Sequence, residues 1–170
     1  MTTPAHALYP NYAVPPSPHP RRTVEDLTLI AADSAKRFSG LCARGVAVAW
    51  GFRHLAQDVE TLTVELITRA VETTGNPNPR PTFTELRKKP PPNIGIRITQ
   101  QEHGLLIEVW DSDPTPPQGT DTHLATVANL SQEWGCYRPP GGGKVIWAEL
   151  TGPSQHHTYS THVGSVRDSC

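Results

Sequence analysis

Apolar positions in the stretch Asp58–Gly75 recur at the spacing of one helical face: Val59, Leu62, Leu66 and Ala70, widened by Val64, Ile67 and Val71. Nothing breaks the pattern before Gly75, a natural helix stop. An earlier helix is predicted from Asp33 or Ser34, either of which can cap it, to an end near Trp50-Gly51. Its inward face is read as Ala35, Phe38, Leu41, Cys42 and Val46. Further along, the period changes. Asn93–Gln100 alternates, with Ile94, Ile96 and Ile98 on one side, and after Glu102-His103-Gly104 the run Leu105–Trp110 is more continuously apolar. Two such runs joined by a short glycine-containing turn predict a β-hairpin. Thr23–Ile30 alternates weakly and suits an edge strand. Asp121–Glu133 places Leu124, Val127, Ala128 and Leu130 on one face of a short helix, and Trp134–Tyr137 with Lys144–Leu150 reads as a last strand pair joined through Pro139–Gly143. This order predicts an α+β fold, a two-layer α/β sandwich with helices on one face of a largely antiparallel mixed sheet.

Composition divides the chain. Of 170 residues 18 are proline and 13 glycine, and they concentrate in the first 22 residues, in Asn76–Pro92 and around Pro139–Gly143. Residues 1–22 hold too little apolar surface to offset the entropy of ordering and read as a flexible arm that lies against the domain. Residues 23–151 form the domain, with 76–92 an irregular proline-rich insertion, and the polar residues 152–170 a disordered tail. The basic run Arg87-Lys88-Lys89 suits either a partner patch or a solvated loop. Asp111–Gln118, with its three prolines, must leave the sheet.

A net charge of -1 and a pI of about 6.7 supply no footprint for nucleic acid or an anionic membrane. There is no apolar run long enough to span a bilayer and no basic-then-apolar leader, which predicts a soluble, cytoplasmic protein. Cys42, Cys136 and Cys170 are odd in number and widely spaced, which argues for reduced thiols and against a zinc site. His156, His157 and His162 in the tail offer no organised metal site. Gly143-Lys144 is no phosphate-binding P-loop, because Arg138 and Val145 stand where its first Gly and its Ser or Thr belong. Trp110 and Trp147 are read as core residues. Glu65 and Arg69, four apart beside the apolar stripe, fit either an i,i+4 pair on a solvated face, contributing about 0.2–0.5 kcal/mol, or the polar wall of a cleft.

Four words in order decide between these: VELITRAV (64–71), LLIEVWDSDPTPP (105–117), HLATVANLSQEWG (123–135) and GGGKVIWAEL (141–150). Together they resemble the histidine-kinase-like ATPase domain, the Bergerat or GHKL fold, in its bacterial anti-sigma-factor serine kinase branch. In that family the helix word is Glu-Leu-x-x-Asn-Ala, whose Glu is the catalytic base and whose Asn holds Mg²⁺. The resemblance therefore makes Glu65 the base, but Arg69 replaces the Asn, and a guanidinium has no lone pair for a metal. Asp111 matches the reader of the adenine amino group, with Asp113 and prolines in place of the following glycines. The second glycine word, which cradles phosphates at a helix start, is here Asp121-Thr122-His123-Leu124, without its glycines.

The resemblance thus implies a cofactor cleft of Arg69, Asp111, Asp113, Asp121, Thr122, His123 and Leu124, with binding of ATP and Mg weak or absent and no protein metal ligands. Arg69 is expected to serve as a counter-ion to the surrounding carboxylates. The function implied is an anti-sigma-factor-like pseudokinase that regulates transcription by protein–protein binding. Its partners would be a sigma factor or an anti-sigma-factor antagonist, with no direct contact to nucleic acid or membrane, and a homodimer is compatible with it. The alternative is an active serine kinase in which Glu65 activates a serine of the antagonist and Arg69 neutralises the γ-phosphate. A small-ligand sensor using the adenine pocket is a third reading.

Overall fold

Alternation from Asn93 to Gln100 and the apolar run after Gly104 become the paired strands β2 (Asn93–Gln100) and β3 (Gly104–Asp111), as the hairpin pattern requires. The computed structural model describes residues 24–74, 82–88, 90, 92–118 and 121–152. Within these, β1 (Val24–Ile30) is followed by α1 (Asp33–Ala49), a 3₁₀ turn at Arg53–Leu55, α2 (Ala56–Thr74), α3 (Phe83–Lys88), β2 and β3. The chain then continues into α4 (Thr122–Leu130), β4 (Glu133–Tyr137) and β5 (Lys144–Thr151). The sheet has five strands in the order β1-β2-β3-β5-β4, and all four of its pairings are antiparallel, with no parallel pair among the described residues. The fold is α+β, and β1 is an edge strand as its weak alternation suggests. None of the described helices is long and apolar enough to cross a membrane.

The core lies between the helices and one face of the sheet. Val59, Leu62, Leu66, Ile67 and Ala70 of α2 meet Ile94, Ile96 and Ile98 of β2, Leu105, Ile107 and Val109 of β3, and Ile146, Ala148 and Leu150 of β5. The opposite, outer face carries Arg97, Thr99, Leu106, Glu108, Trp110, Val145, Trp147 and Tyr137, because successive side chains of a strand alternate.

Some expectations change. The face of α1 turned inward is Ala35, Ser39, Gly40, Ala43 and Ala47. Phe38 and Leu41, expected inside, are 53% and 49% exposed. A stripe of small residues lets the α1 backbone approach α2 closely, and a Cβ on Gly40 would stand 2.6 Å from Val64 Cγ2. Neither Asp33 nor Ser34 caps α1: Ala32 is the N-cap and offers no side-chain bond, while Asp33 pairs with Lys36 at 2.9 Å. Ala128 on α4 is exposed. Inside the expected irregular insertion, α3 is helical and its start is held by a capping box in which Thr82 and Glu85 bond each other. The arm 1–22, the tail beyond Gly152, Cys170 and the tail histidines lie outside the described residues.

Candidate cleft between helix 2 and helix 4

The cleft is built where α2 and α4 cross above the end of β3. Buried apolar residues fix α2, so the positions beside its stripe are placed with little freedom: Glu65 and Thr73 at the margin, Arg69 5% exposed. Leu124 and Val127 anchor α4 in the same core. Asp121 is the N-cap of α4; its Oδ1 accepts the N–H groups of His123 at 3.1 Å and Leu124 at 3.3 Å. Its Oδ2 accepts a bond from Arg69 Nε at 2.6 Å, with the two side chains 7% and 16% exposed. One carboxylate therefore satisfies the free N–H groups of a helix start and pairs with a buried guanidinium. Arg69 Nη1 is buried without a partner among the described residues.

His123, on the first turn of α4, faces two carboxylates of α2. Its Nδ1 lies 2.6 Å from Glu65 Oε2 and its Nε2 3.2 Å from Glu72 Oε2. Ionised carboxylates only accept, so satisfying both contacts requires an imidazolium that donates from both nitrogens. The Glu65 bond, opposed by partial burial and aided by the charge of Glu72, raises the His123 pKa above its ordinary value. Glu65, the residue matched to a catalytic base, is thus engaged by a cation from the facing helix.

The floor of the cleft holds a charge that the sequence reading did not assign. Lys144, the first residue of β5, is fully buried, and it spends all three of its N–H donors: on Asp111 Oδ1 at 2.7 Å, on the Asp113 carbonyl at 2.8 Å and on Asp113 Oδ2 at 3.2 Å. Asp111 is 1% exposed, and its Oδ1 also accepts the Asp113 N–H at 2.9 Å. Burial pushes the Asp111 pKa upward against the pull of Lys144. Asp113 feels some burial too, but the Thr115 hydroxyl and N–H together with Lys144 hold its pKa below the ordinary value. Burial likewise raises the Cys136 thiol, which senses the same cations.

The turn into Lys144 is tight for a reason. Gly142 and Gly143 have φ of +85° and +75°, a region that L side chains rarely adopt. A Cβ on Gly143 would run into the Asp111 carbonyl oxygen. Register then sets Lys144 directly opposite Asp111.

Between these clusters lies an open cavity of about 310 Å³ lined by Arg69, Thr73, Asp113, Thr115, Pro116, Gln118 and Asp121. Of the residues matched by resemblance, Arg69, Asp113 and Asp121 line it. Glu65 and His123 pair beside it, Asp111 lies under it, Leu124 is core, and Thr122 is exposed on α4. Lys144, Glu72, Thr73 and Gln118 were not anticipated. For Lys144 the sequence holds no signal that singles it out: a lysine opens a mostly apolar strand right after three glycines, a place from which its amine ordinarily reaches water. No model of a known protein family matches the chain, and no curated protein matches it.

Proposed function

We propose that this protein is a bacterial, cytoplasmic regulator of the anti-sigma-factor type that works by binding a protein partner, a sigma factor or an anti-sigma-factor antagonist, through a domain whose nucleotide cleft has been closed by its own ion pairs. One observation carries the reading: the charged groups of the cleft are engaged by one another, in the sets Lys144 with Asp111 and Asp113, Arg69 with Asp121, and His123 with Glu65 and Glu72. Adenine recognition needs a carboxylate that a ligand can reach, and Asp111 is 1% exposed and held by Lys144. Phosphate needs bare N–H groups at a helix start, and those of His123 and Leu124 are taken by Asp121. In the family that the chain resembles, magnesium is held by the side chain at position 69, where Arg69 offers only donors. The residues present do not fit Mg-ATP, and no phosphoryl-transfer step is derived for them.

Calorimetric titration tests this directly. Millimolar ATP with Mg²⁺ should give no saturable heat and no rise in melting temperature, whereas a ligand at about 100 times its Kd would add about 2.7 kcal/mol of stability. Purified sigma factors and antagonists should bind without nucleotide. A magnesium-dependent rise of several degrees with ATP would favour the serine kinase, with Glu65 as its base.

A further inference from the structure

The outer face of the sheet holds a second concavity, unconnected with the cleft. It is an open trough of about 370 Å³ whose walls include Trp110, Tyr137, Pro139 and the β1 rim at Asp26–Thr28. Its floor drops at Gly95, which has no side chain opposite Trp110. Both rings are fixed from behind. Trp110 Nε1 donates to the Gly142 carbonyl at 2.9 Å, and the Tyr137 hydroxyl reaches across β5 to donate to Glu108 Oε1 at 2.9 Å. Their polar atoms are thereby used up, and what remains half-exposed is aromatic surface held rigid. Leu106 and Trp147, at the far end of this face, are each only 1% exposed, so the face does not stand open to water along its whole length.

Rigid aromatic walls beside a floor lowered at Gly95 suit a polyproline II helix, whose prolines pack on rings and whose conformation is largely pre-set. We propose that the trough is a docking groove for a proline-rich segment, and that its occupant is this chain's own residues Met1–Arg22. Three observations select that segment. It contains Pro4, Pro10, Pro15, Pro16, Pro18 and Pro20. It ends one residue before β1, which forms the rim; the trough begins at Asp26, about 7 Å into that strand, while 22 residues extend to about 70 Å. It carries Arg21 and Arg22 and no Asp or Glu, against a trough in which Arg97 pairs with Asp26 at 2.8 Å and Glu108, bonded by the neutral Tyr137 hydroxyl, leaves one net negative charge. The other proline-rich stretch, 76–92, is interrupted by α3, and its last residue is held in the ladder, where the Pro92 carbonyl accepts from the Ala31 N–H at 2.8 Å. Tethering gives the arm an effective concentration that a separate ligand must exceed, so the groove is guarded by the chain itself.

The full chain labelled with 5-fluorotryptophan provides the test, with the Trp110 resonance assigned through Trp110→Phe. Two variants are compared with it: Pro→Ala at positions 4, 10, 15, 16, 18 and 20, which leaves the folded domain untouched, and Gly95→Leu, which fills the trough at a site where a Cβ meets Trp110 at an ordinary 3.6 Å. Both variants should shift the Trp110 resonance and speed chymotryptic cleavage after Tyr12 by about fivefold or more, since cleavage follows the undocked population. A synthetic Met1–Arg22 peptide should restore the resonance saturably in the proline variant and leave Gly95→Leu unmoved. An unchanged Trp110 resonance and cleavage rate in the proline variant would overturn the proposal, as would equal rescue by a peptide of residues 76–92.

Discussion

At the residue scale the decisive side chain is Lys144. A lysine with no exposed surface is tolerable only when its charge and its three donors are all answered, and Asp111 with Asp113 answers them. Removing the cation alone strands a buried carboxylate. Lys144→Met is therefore expected to cost about 3–5 kcal/mol in urea unfolding, and the double variant Lys144→Met/Asp111→Leu should recover most of that loss. Asp111 was legible in the sequence because it closes an apolar strand just before prolines. Lys144 was not, because a lysine at a strand start ordinarily snorkels to water; only the register of β3 against β5 reveals that it points inward. The same limit explains Arg69. Its role as a counter-ion was expected, but its partner Asp121 is 52 residues away and its share of the burden is smaller than supposed, since Lys144 neutralises the other two aspartates.

At the element scale the helices differ in how they declare themselves. The stripe on α2 is made of branched aliphatic residues, so periodicity finds both the helix and its inner face. On α1 the inner face is Ala, Ser and Gly, and the larger Phe38 and Leu41 drew the reading to the wrong side, because size is a guide to burial only where there is room. Gly40→Ala should destabilise by about 1–3 kcal/mol through crowding of Val64, more than the roughly 1 kcal/mol gained in helix propensity. Phe38→Ser, by contrast, should stay within about 0.5 kcal/mol; thermal melts separate the two. The tie between α4 and α2 is sensitive to pH. His123 has a folded pKa raised above its ordinary 6.5, so its contribution is complete below about pH 6.5 and is lost as pH rises through the folded value. Groups facing it are Glu65 and Glu72 from α2 and its own N-cap Asp121. The stability difference between the protein and His123→Gln should accordingly be larger at pH 6 than at pH 9. A difference independent of pH would show that the ring acts by packing alone.

At the scale of the whole molecule, the α+β class, the hairpin and the order of elements followed from hydrophobic period and turn residues. The ion pairs around the cleft did not, because they depend on contacts of α2 with α4 and of β5 with β3 and the loop after it that no local pattern encodes. If the cleft is a nucleotide site as proposed, freeing it takes changes on α2, α4 and β5 together. Arg69→Asn with Asp121→Gly and His123→Gly should gain only weak Mg-ATP affinity by calorimetry, and adding Lys144→Ser, which releases Asp111, should improve it by about tenfold, the worth of one good hydrogen bond to a charged group. The strand order also governs how the protein is made. β5 is the last of the described strands in sequence yet lies between β3 and β4, so until it is made β3 keeps an unpaired edge, β4 has no partner strand, and Asp111 and Asp113 lack their lysine. A chain released at Gly143 should accordingly be digested by protease at concentrations that spare the whole protein, and the cell's exposure to the half-built sheet is set by the time taken to add the roughly 40 residues from the end of β3 at Asp111 to the end of β5 at Thr151.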